Sequence, residues 1–183
     1  MAYLTRAQAL GASPVVGTLR LAEADLRKSA SASRDTRFDI FLSHASEDAR
    51  VIAGVKALLE QEGLSVYVDW FQDPQLDRTR VNAATAGLLR VRMNHSGYLL
   101  YASSRSSSNS KWMPWELGYF DGRRPGHVGI LPIVESLGES FPGVEYLGLY
   151  PLIELVRFQS GGTMFARSTS DTAAEPLRSM ARS

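Results

Sequence analysis

Phe38-Asp39-Ile40-Phe41-Leu42-Ser43-His44-Ala45-Ser46-Glu47-Asp48 is the stretch that decides how the chain is read. Its first five residues are a short apolar strand, and Ser43-His44 end it. Ser46 then caps a helix whose first turn holds Glu47 and Asp48, where carboxylates suit the positive end of the helix dipole. Val51, Ile52, Val55, Leu58 and Leu59 recur at helical spacing, and Gly63 closes the run. A strand that gives way to a helix so quickly is the opening of a strand–helix unit. The fold class turns on whether that unit repeats.

It does repeat. Ser65-Val66-Tyr67-Val68 is a second strand, ending at Asp69-Trp70, and a charged, turn-rich loop follows from Phe71 to Arg78. Val81, Ala84, Leu88 and Val91 mark a helix despite the cost of Gly87. Gly97 to Ala102 is a third strand that runs into the serine loop 103–109. A helix then starts near Ser110 or Pro114, since proline suits a first turn, and stops at Gly122. His127 to Val134 is a fourth strand, and Leu152 to Val156 is a candidate fifth. This alternation predicts an α/β protein with a central parallel sheet of about five strands and right-handed crossovers. Ligands of such sheets bind beyond the carboxyl ends of the strands. Those ends carry Ser43-His44, Asp69-Trp70 and Ser103-Ser104, and Glu116 starts near the same rim.

The flanks read differently. Residues 1–36 are expected to be an N-terminal extension and linker, with a helical turn or two over Thr5 to Leu10 and a short helix over Gly17 to Lys28. Residues 37–157 are the domain, and 158–183 a polar C-terminal tail. Among 183 residues there is no cysteine and the net charge is +1. Disulfides, thiolate catalysis and cysteine metal sites are thereby excluded, and nothing pulls the chain toward nucleic acid. His44, His95 and His127 lack metal-ligand spacing, so no metal is expected. No apolar run is long enough for a transmembrane helix, and the start lacks a signal-peptide core, so a cytoplasmic protein without membrane contact is expected. Neither a P-loop nor a dinucleotide fingerprint occurs.

The residues quoted so far resemble Toll/interleukin-1 receptor (TIR) domains. Phe38 to Asp48 resembles their opening strand and loop, Val66-Tyr67-Val68-Asp69 their second strand, and residues 69–81 sit where the family has its BB loop. Ser110-Lys111-Trp112 with Glu116 resembles the W-x-x-x-E pattern of bacterial and plant members that consume NAD. The match is closest to bacterial single-domain members, some of which act in antiviral defence of the Thoeris kind. The resemblance implies a flavodoxin-like three-layer sandwich. It also implies either cleavage of NAD+, to ADP-ribose or a cyclic isomer, or a purely adhesive role. Homo-oligomers through the loop 69–81 are implied as well, a neighbour's loop closing the pocket. NAD+ would then be a substrate, with no cofactor held.

Each candidate residue has a plain structural reading beside the functional one. Glu116 is a surface ion-pair former or, four residues after Trp112 on one helix face, the catalytic carboxylate. Splitting the nicotinamide–ribose bond expels a neutral pyridine, which needs no acid. One carboxylate beside the oxocarbenium-like ribose, or holding its hydroxyls, is enough. Trp112 and Trp115 are core residues or walls of the pocket. Ser43 and His44 form a turn or meet ribose and phosphate. Asp69 and Trp70 open the loop or contact substrate, and Arg78 is a solvated charge or a pyrophosphate ligand. A non-catalytic adaptor and a nucleoside deoxyribosyltransferase-like enzyme are the competing functions. Release of base from NAD+ or from deoxynucleosides separates them.

Overall fold

The computed structural model describes residues 2–14, 35–73, 82–141, 143, 145–157, 163–168 and 174–183. The expected helix at Gly17 to Lys28 lies outside these residues, as does Arg78.

Four of the expected strands form one parallel sheet: β2 (Phe38–Ser43), β3 (Val66–Tyr67), β4 (Ser96–Ser103) and β5 (Val128–Val134). β1 (Leu4–Thr5) completes it, and the sheet order is β1-β5-β4-β2-β3. From β3 to β5 this is the order of a flavodoxin-like sheet, with the switch point between β2 and β4.

The fifth position differs from expectation. Leu4 and Thr5 pair in parallel with Ile133 and Val134 at the end of β5, so a segment assigned to an extension belongs to the sheet. The candidate fifth strand pairs with β5, among the described residues, through one parallel bridge, Ile130 to Leu152. It then continues as β6 (Ile153–Arg157) in an antiparallel sheet with β7 (Thr163–Ser168) and β8 (Ala174–Pro176). Thus the stretch 158–183 is no loose tail where it is described. Phe165 and Leu177 are fully buried, and hydrophobic burial outweighs the polar composition around them.

Helices cover both faces. On one lie α1 (Arg6–Ala12), α2 (Ala49–Gln61) and α6 (Leu177–Ala181), with the small sheet. Their core joins Leu4, Ala9, Ile40, Val51, Leu59, Leu100, Phe165 and Leu177. Thr5 starts α1 with a reciprocal cap: its Oγ1 accepts from Gln8 N–H at 3.2 Å and its N–H donates to Gln8 Oε1 at 2.8 Å. Gly54 lets α1 approach α2 closely. A β-carbon there would stand 1.7 Å from the Ala9 carbonyl oxygen. Glu62 accepts from the Phe165 N–H at 2.7 Å and pins β7 to the end of α2.

On the other face lie α4 (Ala83–Asn94), α5 (Trp112–Arg123) and a 3-10 turn at Glu145–Leu149. Here Phe41, Tyr67, Leu89, Leu99, Tyr101, Trp112, Met113, Leu117, Phe120 and Ile130 pack together. A short helix, α3 (Asp69–Gln72), follows β3 directly. No described helix is long and apolar enough to cross a membrane.

Candidate functional site

Side chains alternate along a strand, so Phe41 and Ser43 face the same way, toward α5. Ser43 ends β2 and its register partner on β4 is Tyr101. Above them Glu116 occupies the second turn of α5. The Ser43 hydroxyl donates to Glu116 Oε2 at 2.6 Å, and both residues are 0% exposed. A carboxylate this deep is held by hydrogen bonds or not at all. Trp112, one turn earlier, is also buried. The helix begins at Trp112, with Ser110 Oγ accepting from Met113 N–H at 3.2 Å, close to the start read from the sequence.

Tyr101 extends this site. Burial above all, with Tyr146 and the Glu116 carboxylate adding to it, pushes the Tyr101 phenol up. Its proton is retained, so it stands as an O–H group beside the carboxylate. Tyr101 also lines a cavity of about 350 Å³ at the carboxyl ends of β4 and β5, with Ser103, Arg105, Pro114, Phe141 and Tyr146. Glu135 and Glu139 line it too, the latter accepting from Arg105 Nη2 at 3.3 Å, and this mix of rings, hydroxyls and charges fits a small polar ligand with a ring. Glu116 does not line this cavity; Tyr101 faces both.

His44, Asp69 and Trp70 make a second cluster next to the first. His44 Nδ1 lies 2.9 Å from the Leu42 carbonyl oxygen, which can only accept. The Trp70 indole Nε1–H, which can only donate, meets His44 Nε2 at 2.9 Å. Both contacts are satisfied by one form, the neutral imidazole with its proton on Nδ1. Asp69 Oδ1 stands 3.3 Å from Nε2 and accepts from Trp70 N–H at 2.8 Å. His44 and Asp69 are buried. They therefore serve here as the fastening of α3 onto the end of β2.

The serine loop is tied down as well. Asp48 is buried, accepting from Arg6 Nη1 at 3.0 Å and from the Ser104 hydroxyl. Ser107 Oγ donates to the Ala102 carbonyl at 3.1 Å and accepts from Ser104 N–H at 2.8 Å. The N-terminal helix thus braces the rim.

Of the residues singled out from the sequence, Ser43, Trp112 and Glu116 come together, and His44, Asp69 and Trp70 form the adjoining cluster. Trp115 turns toward α4 instead. It meets Trp112 edge-on at 5.5 Å, stacks on Tyr119 at 5.8 Å, and lies 5.3 Å from the Arg90 guanidinium. Neighbouring residues on a helix project about 100° apart, so Trp115 leaves the face that carries Glu116. Tyr101, Asp48, Asp73 and Arg92 were missed. Tyr101 is hidden in an apolar strand, and charged residues in isolation read as solvated.

No family model matches the chain. It is 54% identical over 117 residues to a protein of Bacillus cereus (strain MSX-D12) named probable 3' cyclic ADP-D-ribose synthase ThsB', covering 63% of this chain and 60% of that one. It is 30% identical over 83 residues to the putative cyclic ADP-D-ribose synthase TIR2 of Cytobacillus dafuensis, covering 45% and 22%. The chain thus spans less than two thirds of the length of either relative. Among solved structures, the TIR domain of the Toll-related receptor TRR-2 from Hydra magnipapillata aligns with a TM-score of 0.43 at 20% identity, over 61% of this chain and 78% of that one. Over the matched residues the chain is a homologue of these two bacterial proteins, and its fold is a flavodoxin-like α/β sheet.

Proposed function

We propose that the chain cleaves the bond between nicotinamide and ribose in NAD+, a nucleophilic group of the same ADP-ribosyl unit taking the place of nicotinamide at the anomeric carbon with loss of a proton, to give nicotinamide and a cyclic isomer of ADP-ribose. The observation that carries this reading is the buried Ser43–Glu116 pair, set on the rim beside Tyr101 and the cavity. The names of the two relatives support it. The leaving pyridine is neutral, so the chain needs no proton donor for it. What it must supply is negative charge near the ribose as that ring turns cationic. Glu135 and Glu139 also line the cavity; Glu116, at the strand ends with Ser43, is the carboxylate we assign to this task. At rest its Oε2 is occupied by Ser43, and a ribose hydroxyl would compete for the same atom. A role in antiviral defence belongs to the same proposal, as does assembly in which a neighbour's segment 69–81 completes the site.

The test is Glu116→Gln, which keeps size and removes charge. Nicotinamide release and product identity are followed by chromatography with purified protein and NAD+. Loss by about a hundredfold or more is the expected result. A folded variant that still releases nicotinamide at the parent rate refutes the assignment. Mixing it with Trp70→Ala tests sharing between protomers: partial recovery of activity is expected if composite sites form.

A further inference from the structure

The segment after β3 is held at a second point, away from His44. Asp73 follows α3 and is buried, as are Tyr67 and Arg92. Arg92 grips the Asp73 carboxylate with both arms of its fork: Nε donates to Oδ2 at 2.8 Å and Nη2 to Oδ1 at 2.9 Å. The Tyr67 hydroxyl donates to the same Oδ2 at 2.9 Å. Tyr67 is the last residue of β3, so its bond to Asp73 closes the chain back on the strand it has just left. The Arg92 guanidinium also lies 5.7 Å from the Tyr67 ring, which stacks on Phe41 at 5.1 Å. The bond to Asp73 holds Arg92 firmly in its charged form, and burial pushes the Tyr67 phenol up, so each donor keeps its proton.

A buried ion pair is a poor device for stability alone, because desolvation offsets most of the attraction. It is a good device for fixing geometry, since a two-armed fork accepts one orientation of the carboxylate. Between the two fixed points, Trp70 on His44 and Asp73 on Arg92, lies only α3. His44 in turn follows Ser43, the partner of Glu116.

We propose that Arg92, Asp73 and Tyr67 are positioning residues for the rim, a clamp that sets the placement of Trp70 against His44 and thereby the affinity for substrate, while the bond-breaking step depends on Glu116. The proposal rests on the reading of the site as one that cleaves NAD+. The hydrogen bonds of the clamp run to Asp73, and the one to Glu116 runs from Ser43. Loosening the clamp therefore acts on KM and leaves kcat largely intact.

The experiment uses the full chain with Asp73→Asn, and Tyr67→Phe as a milder variant that removes one hydrogen bond and keeps the ring on Phe41. Folding is checked by circular dichroism. KM for NAD+ is expected to rise roughly tenfold or more in Asp73→Asn and less in Tyr67→Phe, with kcat within about threefold of the parent. Arg92→Lys keeps the charge, loses the fork, and is expected to behave like Asp73→Asn. A second measurement does not depend on activity. In nitrogen-15-labelled protein the Trp70 indole N–H signal should move in each variant, while those of Trp112 and Trp115 stay in place. An unchanged KM in a folded variant, a loss confined to kcat, or a Trp70 signal that does not move overturns the clamp. If Asp73→Asn does not fold, Tyr67→Phe decides by the same criteria. If the parent protein releases no nicotinamide, the functional reading fails, and the Trp70 signal alone decides whether the clamp sets the position of that ring.

Discussion

Replacing Ser43 by alanine tests whether Glu116 is held as the geometry says. The bond at 2.6 Å joins two residues with no solvent exposure, so water cannot take the place of the lost hydroxyl. A hydrogen bond to a charged group contributes about 1.5–3 kcal/mol. For a chain of this size each kcal/mol moves the melting temperature by about 2–4 °C, so a fall of about 3–12 °C is expected. That figure alone does not isolate the bond, because alanine also leaves a small void. A double-mutant cycle does. Ser43→Ala, Glu116→Gln and the pair together are unfolded in urea, and the interaction energy is the departure from additivity. A glutamine side chain in place of Glu116 is a neutral acceptor, so Ser43→Ala should cost about 1 kcal/mol less in that background. Additivity within about 0.3 kcal/mol would show that the serine does not hold the charge, and the resting site would have to be drawn differently.

Two other perturbations report on the frame around the site. Gly54→Ala places a β-carbon 1.7 Å from the Ala9 carbonyl oxygen, which α1 can relieve only by backing off α2; a loss of about 1–3 kcal/mol or more in urea unfolding is expected, and an unchanged midpoint would contradict the close approach. Glu62 has its carboxyl pushed up to about 7, chiefly by burial, with the Phe165 N–H pulling the other way. Its folded value lies above its unfolded one, so its contribution to stability is fully present below about pH 4.5 and is lost as pH rises through 7. Glu62→Gln should therefore gain on the parent in melting temperature between pH 4.5 and 8, and a constant difference across that window would refute the assignment.

The parts of the fold that were legible in the sequence are those where periodicity has room to act. β2, β4 and β5 are apolar runs bounded by polar turns, and α2 repeats its apolar residues over three turns. β1 has two residues, too few for any pattern, and its placement depends on an open edge of β5 that no local signal reveals. The polar residues around Phe165, Leu177 and Met180 hide the core positions of the last segment. At the site, rim placement was enough to bring Ser43 toward Glu116, because strand ends and helix starts follow from alternation. Trp115 could not be placed without the packing of α4. The Asp73–Arg92 pair was invisible for a stronger reason: a buried ion pair is a property of two distant residues at once, and each of them alone looks like surface.

The position of β1 has a consequence for how the chain reaches its native state. Leu4 and Ile133 pair although most of the domain's sequence lies between them, and the loop they close forms late because its entropy is lost before its contacts are gained. Until β5 exists, Leu4 and Thr5 have no strand to join. A chain emerging residue by residue would carry Leu4 without its strand partner through most of its synthesis. Arg6 follows β1 directly and is bound to Asp48, which also holds Ser104, so fraying of β1 would loosen a tie to the serine loop.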